Sequence, residues 1–239
     1  MTAIRNRIRT QPACVLRSTL ALAVLALLAV TSPALAGGRP GIPPQASAFG
    51  ETLAEWSAIW WKVGLEIPTD GDSPFQVGGI FPLSKSVLGL AAPLGGGTFE
   101  LTIPNGKALM VAGITFECSN LEPVPFYGGT EAEQAACAKF FADHIEDMSI
   151  TVDGKPVRDI ASYRVMSPQF SFTVPDPNFL AVPPGPGTAV ADGYYVLLPP
   201  MSKGKHTVRV QGALHFATSE GDPFDFDQDI DNVFLITAK

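Results

Sequence analysis

The sequence has few cysteines, few charges and no long apolar run after its first 36 residues. Its 239 residues include three cysteines and 16% charged side chains, against about 25% in an average soluble domain. Low charge argues against long helical bundles and coiled coils, which are rich in Lys, Glu and Arg. The acidic balance, 23 Asp and Glu against 16 Lys and Arg, argues against a nucleic-acid partner, because binding needs a basic face.

Familiar catalytic motifs are also missing. The sequence contains no GxSxG or HExxH motif, no cysteine beside a histidine, and no phosphate-binding glycine loop with its lysine. The glycine run at 95–97 lacks that lysine and precedes a predicted strand, so it is expected to be a turn. These absences favour a non-enzymatic role and predict no organic cofactor.

The first 36 residues have the pattern of a secretory signal peptide. A basic start contains four arginines and no acid, at Arg5, Arg7, Arg9 and Arg17. Leu20–Val30 is an unbroken apolar run, and Ala34–Ala36 is a small-x-small cleavage site. The run is shorter than the ~20 residues of a permanent membrane span. We therefore expect cleavage near Ala36 and a secreted or periplasmic protein without a transmembrane segment; an uncleaved anchor is the alternative.

Cleavage would leave two cysteines, Cys118 and Cys137. In an oxidising compartment two cysteines most simply form one disulfide. A catalytic or metal-binding thiol is the alternative, but neither residue lies in a CxxC motif or beside a histidine. The sequence therefore predicts a Cys118–Cys137 disulfide.

Two stretches have helical character. Apolar residues recur at three- and four-residue steps from about Ser47 to Val63, with Ser47 as the expected N-cap. Thr130 and Glu133 have the spacing of a capping box, which predicts a second helix over about 131–144. Residues 37–46, rich in Gly and Pro, are expected to be a flexible leader.

The rest of the chain alternates apolar and polar residues over short segments separated by turns. Seven to nine such segments, including Thr207–Phe216 and an Asp153–Gly154 hairpin signal, are typical of an antiparallel arrangement. We therefore predict a mainly β protein, an antiparallel β-sandwich or jelly roll with two short helices. The domain is expected to span 47–239, behind the signal peptide (1–36) and the leader (37–46).

Several blocks resemble a group of uncharacterised secreted bacterial β-rich proteins with a Trp-rich N-terminal helix. They are Glu55–Trp61 (EWSAIWW), Asp153–Val157 (DGKPV), Asp192–Tyr195 (DGYY) and Gly204–Val208 (GKHTV). The last block also resembles a strand of immunoglobulin-like sandwiches, by fold analogy only. The resemblance implies an extracytoplasmic β-rich domain and assigns no chemistry.

The three tryptophans lie within six residues. Trp56 and Trp60 share the apolar stripe of the first helix, whereas Trp61 lies about 100° away from it. Trp61 with Lys62 is therefore a candidate exposed platform for a glycan or another extracytoplasmic protein. The alternative is that all three side chains pack the helix onto the sandwich.

Acidic residues give two further hypotheses. A carboxylate pair for glycoside hydrolysis can be drawn from acids near the tryptophans, namely Glu51, Glu55, Glu66, Asp70 and Asp72. Four carboxylates recur at every second position near the C-terminus, at Asp225, Asp227, Asp229 and Asp231. Curled into a loop they would supply ligands for calcium; extended, they would form a solvated acidic edge.

The histidines are expected to be solvated or hydrogen bonded. His206 and His215 have opposite parity along one predicted strand, so they cannot form a ligand pair, and His144 stands alone. The leading function is therefore an exported, non-enzymatic β-sandwich with a binding role. A secreted carbohydrate-active enzyme and a calcium-stabilised surface or adhesion module are the alternatives.

Overall fold

Two β-sheets and three α-helices account for most of the structured chain. The computed structural model describes residues 40–71 and 73–239, so the predicted signal peptide and Asp72 lie outside the described residues. The helices are α1 (Leu53–Leu65), α2 (Pro74–Val77) and α3 (Glu131–Ala142), with 3₁₀ turns at Ile160–Tyr163 and Thr218–Glu220. The strands are β1 (Gly79–Pro82), β2 (Val87–Ala91), β3 (Gly96–Ile103), β4 (Ala108–Ser119), β5 (Ile145–Val152), β6 (Lys155–Pro156), β7 (Arg164–Met166), β8 (Phe170–Val174), β9 (Gly185–Leu198), β10 (Gly204–Phe216) and β11 (Phe226–Ala238).

The strands form two sheets, which confirms the mainly β class. The first has the order β1-β2-β4-β9-β7, with β8 also pairing with β9, and the second has the order β3-β11-β10-β5-β6. The β2–β4 and β3–β11 pairs are parallel, so the sheets are mixed rather than antiparallel throughout. The reason is connectivity: β3 lies between β2 and β4 in the chain but in the other sheet, so β2 and β4 meet without a hairpin.

Alternation along the long strands places the core. In β10, Val208, Val210, Leu214 and Phe216 are buried, and β11 pairs with β10 without a break from Phe226 to Ala238. The even-numbered residues of both strands therefore form the inner face of the second sheet. The predicted hairpin is also present: Asp153 and Gly154, both with positive φ, join β5 to β6.

Helix α1 begins later than the sequence predicts. The chain first turns tightly at Phe49 and Gly50, both with positive φ. Thr52 then caps the helix through a reciprocal capping box with Glu55, so Ser47 is not the cap. Helix α3 has the predicted capping box at Thr130 and Glu133.

Part of the predicted flexible leader is packed against the first sheet. The Ile42 N–H donates to the carbonyl of Leu197 at 2.8 Å. A Cβ at Gly41 would lie 2.8 Å from a Val196 methyl group, so only glycine allows this close approach. Residues from 40 onward belong to the same compact unit as the sheets, and none of the helices described is long and apolar enough to span a membrane.

Candidate ligand-binding cavity

A cavity lies beside the part of β4 that β2 leaves unpaired. β2 pairs with β4 only from Ala108 to Val111, although β4 continues to Ser119. The cavity next to this stretch has a volume of about 530 Å³. Its walls come from β4, the segment after β2, helices α1 and α2, the loop after β4 and the first half of β11.

Aromatic rings form one wall of the cavity. Trp60, Trp61, Phe75 and Phe179 all line it. The Trp61 and Phe75 rings stack with centroids 5.8 Å apart, and Phe75 lies 4.6 Å from Phe179. Phe179 and Leu94 are among the exposed large apolar residues, so they mark where the cavity opens to solvent.

Hydrogen bonds fix the orientation of Trp61. Its indole Nε1–H donates to the Tyr195 hydroxyl at 2.8 Å and to Thr115 Oγ1 at 3.2 Å. Thr115 Oγ1 also contacts the Tyr195 hydroxyl and donates to the carbonyl of Asp192 at 3.1 Å. Burial raises the pKa of the Tyr195 hydroxyl well above its usual range, so this group stays protonated. The aromatic wall is therefore held in one arrangement without a ligand.

Two carboxyl groups form the polar corner of the cavity. Glu117, on β4, is 5% exposed, and Glu122 lies in the following loop. Both line the cavity, and their carboxyl groups lie close enough for each to perturb the pKa of the other. Burial, followed by the Glu122 charge, raises the pKa of Glu117 well above its usual range. Burial likewise raises the pKa of Glu122 to about 7, even though hydrogen bonds from Ser119 oppose the rise. Two acids this close cannot both ionise easily, so they share a proton.

Two polar oxygens of residues that line the cavity have no hydrogen-bond partner among the described residues. They are Oε2 of Glu117 and Oδ1 of Asn232, both buried, and both residues line the cavity. Buried polar groups are normally satisfied. Two such oxygens, in residues that line one cavity, depart from this rule.

The predicted disulfide is present, and it holds one wall of the cavity. The Cys118–Cys137 bond ties the end of β4 to α3. The loop between them contains Glu122, whose Oε2 accepts from Ser119 Oγ at 2.9 Å. The disulfide thus anchors the segment that presents Glu122.

Trp61 is buried, so its predicted role as an exposed platform is wrong. Only 6% of the residue is exposed, because its ring packs on the first sheet and hydrogen bonds to Tyr195. Lys62 forms an ion pair with Glu66 at 2.5 Å and is not among the residues that line the cavity. The structure therefore separates the two residues: Trp61 borders a cavity from inside the protein, and Lys62 lies on the outer side of α1.

Of the five acids considered for a glycosidase pair, the four that the structure describes do not line the cavity, and Asp72 lies outside the described residues. Glu55 caps α1, and Glu66 pairs with Lys62 and accepts from the Thr173 N–H at 3.1 Å. Glu51 lies in the turn before α1, and Asp70 is exposed. The carboxyl pair next to the tryptophans is instead Glu117–Glu122.

Three of the four C-terminal acids lie along an extended strand rather than in a curled loop, and Asp225 comes just before that strand. Asp227, Asp229 and Asp231 are on the exposed face of β11. Asp231 forms a bidentate ion pair with Arg209 at 2.6 and 2.7 Å, and Asp225 accepts from Thr218 N–H and Oγ1. Within residues 40–71 and 73–239, no group of three Asp, Glu, His or Cys side chains is arranged to hold a metal ion. The calcium hypothesis is left as a prediction, without the loop geometry on which it depended.

Each histidine has a hydrogen bond or an acidic neighbour. His144 contacts Asp222 at 3.0 Å and stacks on Phe216, with ring centroids 4.4 Å apart. His206 contacts Asp153 at 2.8 Å, and this hydrogen bond raises the pKa of His206. His215 points outward, 4.0 Å from Asp227.

Sequence reasoning missed Glu117 and Glu122, although one signal was present. The segment Ala108–Ser119 is apolar almost throughout, and Glu117 is its only charged residue. A single acid in a strand that is otherwise apolar is a candidate buried carboxyl. Nothing in the sequence pairs it with Glu122, because their contact depends on how the chain turns after Ser119.

Comparisons with known proteins identify no family for this chain. No protein-family model matches it, and no curated protein matches it. Among solved structures, the solution structure of Amebosin aligns with 61% of this chain and 99% of its own, at 10% identity and a TM-score of 0.15. A similarity of this size carries no argument about fold or function.

Proposed function

We propose that this protein is an exported, non-enzymatic β-sandwich that binds a small, largely apolar ligand in the cavity beside β4. The observation that supports this most is the cavity itself: about 530 Å³, bordered by Trp61 and Phe75 on one side and by Glu117 and Glu122 on another. Binding sites for small molecules typically have about 300–1,000 Å³, apolar walls and a few polar groups.

Two observations support export. The Cys118–Cys137 disulfide is of the kind that persists in oxidising compartments. The basic, apolar and small-residue segments of the first 36 residues match a signal peptide. Together they favour a secreted or periplasmic location after cleavage near Ala36.

The spacing of the carboxyl groups favours binding over glycoside hydrolysis. Glycosidases keep their two carboxyl groups about 5 Å apart or more, so that a sugar or a water fits between them. The carboxyl groups of Glu117 and Glu122 lie close enough to hydrogen bond, since each perturbs the pKa of the other. The pair is thus arranged to meet a polar group of a ligand rather than to flank a glycosidic bond.

To test this, a substitution fills the cavity, and the binding of an apolar fluorescent probe is measured. Ala92 lines the cavity, and an indole in its place would occupy much of the space. Ala132, which is exposed on α3, gives a matched control. Titration of wild type, Ala92→Trp and Ala132→Trp with N-phenyl-1-naphthylamine should show saturable fluorescence enhancement in wild type and the control, with about tenfold or greater loss in Ala92→Trp.

Circular dichroism of the three proteins checks that each is folded. Enhancement of equal size in Ala92→Trp and wild type would place the probe elsewhere and refute cavity binding. The same conclusion would follow if wild type gave no saturable enhancement with this probe.

A further inference from the structure

Two polar atoms in residues that line the cavity are unsatisfied. Oε2 of Glu117 and Oδ1 of Asn232 are buried without partners among the described residues, in residues that are 5% and 7% exposed. The amide oxygen accepts from an N–H or O–H, and so does the Glu117 carboxylate once it has lost its proton. A ligand with several hydrogen-bond donors would satisfy both.

The cavity also lacks positive charge. Among the described residues that line it there is no lysine, arginine or histidine, and neither Glu117 nor Glu122 forms an ion pair with another described residue. A buried acid pair without a cation is costly. A positively charged group in the cavity would offset that cost.

The aromatic wall is suited to the same kind of group. The stacked rings of Trp61 and Phe75 border the cavity that Glu117 and Glu122 also line. Aromatic faces attract cations through their quadrupole, tryptophan most strongly. They also provide apolar surface for a hydrophobic body.

We propose that the cavity binds an organic cation, a hydrophobic amine whose ammonium group is held by Glu117, Glu122 and Asn232. This inference rests on the proposed function and specifies its ligand class. An ammonium group has three N–H donors, which is enough for Glu117 Oε2, Asn232 Oδ1 and a Glu122 oxygen. A neutral alcohol has one donor and would leave acceptors unsatisfied, and an anionic ligand would be repelled.

Binding of an ammonium group should release a proton. Among the described residues, the ionisable side chains that line the cavity are Glu117 and Glu122; Tyr195 hydrogen bonds to Trp61, and Asp192 lies near Tyr195. A nearby cation favours the ionised carboxylate. The proton that the pair shares or holds would then leave to the solvent as the ammonium enters.

The test compares three ligands that share a naphthyl group and differ in their head group. Isothermal titration calorimetry at about pH 7 would use 2-(1-naphthyl)ethylamine, 2-(1-naphthyl)ethanol and 1-naphthylacetate. We expect the amine to bind about tenfold more tightly than the alcohol, and the acetate to bind most weakly. Repeating the amine titration in phosphate and in Tris, which differ in ionisation enthalpy, should show release of a proton.

Variants show whether the preference comes from the carboxyl pair. The double substitution Glu117→Gln/Glu122→Gln should weaken amine binding about tenfold and leave alcohol binding nearly unchanged. Glu131→Gln, at an exposed position on α3, removes one charge elsewhere and should change neither. If the double variant does not fold, Glu122→Gln alone and the proton release in wild type provide the same test.

The outcomes separate this inference from the proposed function. Equal affinities for the amine and the alcohol would overturn the inference that the ligand is an organic cation, and so would a preference for the amine that survives in the Gln variants. Either result would leave cavity binding intact. The same holds if N-phenyl-1-naphthylamine binds and none of the three ligands does. Failure of that probe as well would remove the proposed function.

Discussion

The substitution Glu122→Gln should change how the stability of the protein depends on pH. The pKa of Glu122 rises from 4.5 to about 7 on folding, mainly through burial. The folded protein therefore keeps this proton at pH values where the unfolded chain has lost it. An acid whose pKa is raised in the folded state therefore stabilises the protein through the proton that it holds. For Glu122, this contribution to the free energy of unfolding is fully present below about pH 4.5 and is lost as the pH rises toward 7.

The size of the effect follows from the two pKa values. One pKa unit corresponds to about 1.4 kcal/mol, so raising the pH from 4.5 to above 7 removes about 3 kcal/mol of unfolding free energy through Glu122 alone. Glu117, whose pKa is raised by burial and then by the Glu122 charge, adds to the loss, and the part that burial causes remains in Glu122→Gln. The free energy of unfolding of Glu122→Gln minus that of wild type should therefore increase by at least about 3 kcal/mol over this range.

Urea denaturation followed by circular dichroism, at four pH values between about 4.5 and 7.5, measures this difference. With an m value of about 2 kcal/mol/M, the urea midpoints of the two proteins should move relative to each other by about 1.5 M. Carboxylates with lowered pKa values, such as Asp231 and Asp153, contribute mainly below this range. His206, with a raised pKa, is present in both proteins and cancels.

The control is Glu100→Gln, at an exposed position on β3, which removes a carboxylate without a buried partner. Its stability relative to wild type should not change with pH over the same range. If the difference between Glu122→Gln and wild type is also constant within about 0.5 kcal/mol, the carboxyl pair is not buried as the structure places it, and the reasoning fails.

Two further predictions concern the walls of the cavity. Trp60→Ala and Trp61→Ala should each destabilise the protein by about 3–5 kcal/mol in thermal or urea unfolding, because both side chains are buried. Lys62→Ala should change the stability by less than about 1 kcal/mol. If Trp61→Ala left the stability unchanged, the burial of Trp61 would be contradicted. Replacing Cys118 and Cys137 together by serine should lower the free energy of unfolding by about 3 kcal/mol, and equal melting temperatures in the presence and absence of a reductant would contradict a structural disulfide.

Local signals in the sequence predict local structure well. The alternation of β10, the Thr130–Glu133 capping box and the Asp153–Gly154 turn each depend on residues a few positions apart. All three are found where the sequence predicts them. The start of α1 is the exception, because Thr52 and Glu55 form a better capping box than Ser47 can, and the tight turn at Phe49 takes that residue out of the helix.

Features that depend on distant contacts are not visible in the sequence. The parallel β2–β4 pair requires β3 to cross into the other sheet, and no periodicity shows that. The sequence predicts an exposed Trp61, because a position about 100° from the apolar stripe is expected to face solvent. Here it meets Tyr195 and Phe75, which are far from it in the sequence.

The carboxyl pair requires an explanation beyond stability. Replacing buried ionisable pairs by apolar residues of similar volume is often neutral or stabilising, and Glu117 with Glu122 lacks even the compensation of an ion pair within the described chain. The pair lies at the one place on β4 where a neighbouring strand is missing, next to a rigid aromatic wall and a loop held by the disulfide. From three fixed walls around two polar oxygens that are unsatisfied within the described residues, we infer an arrangement suited to a bound partner. On that reasoning, the loss of stability near neutral pH and the capacity to hold a ligand have the same origin, so a ligand that stabilises the folded protein should do so most where the free protein is weakest.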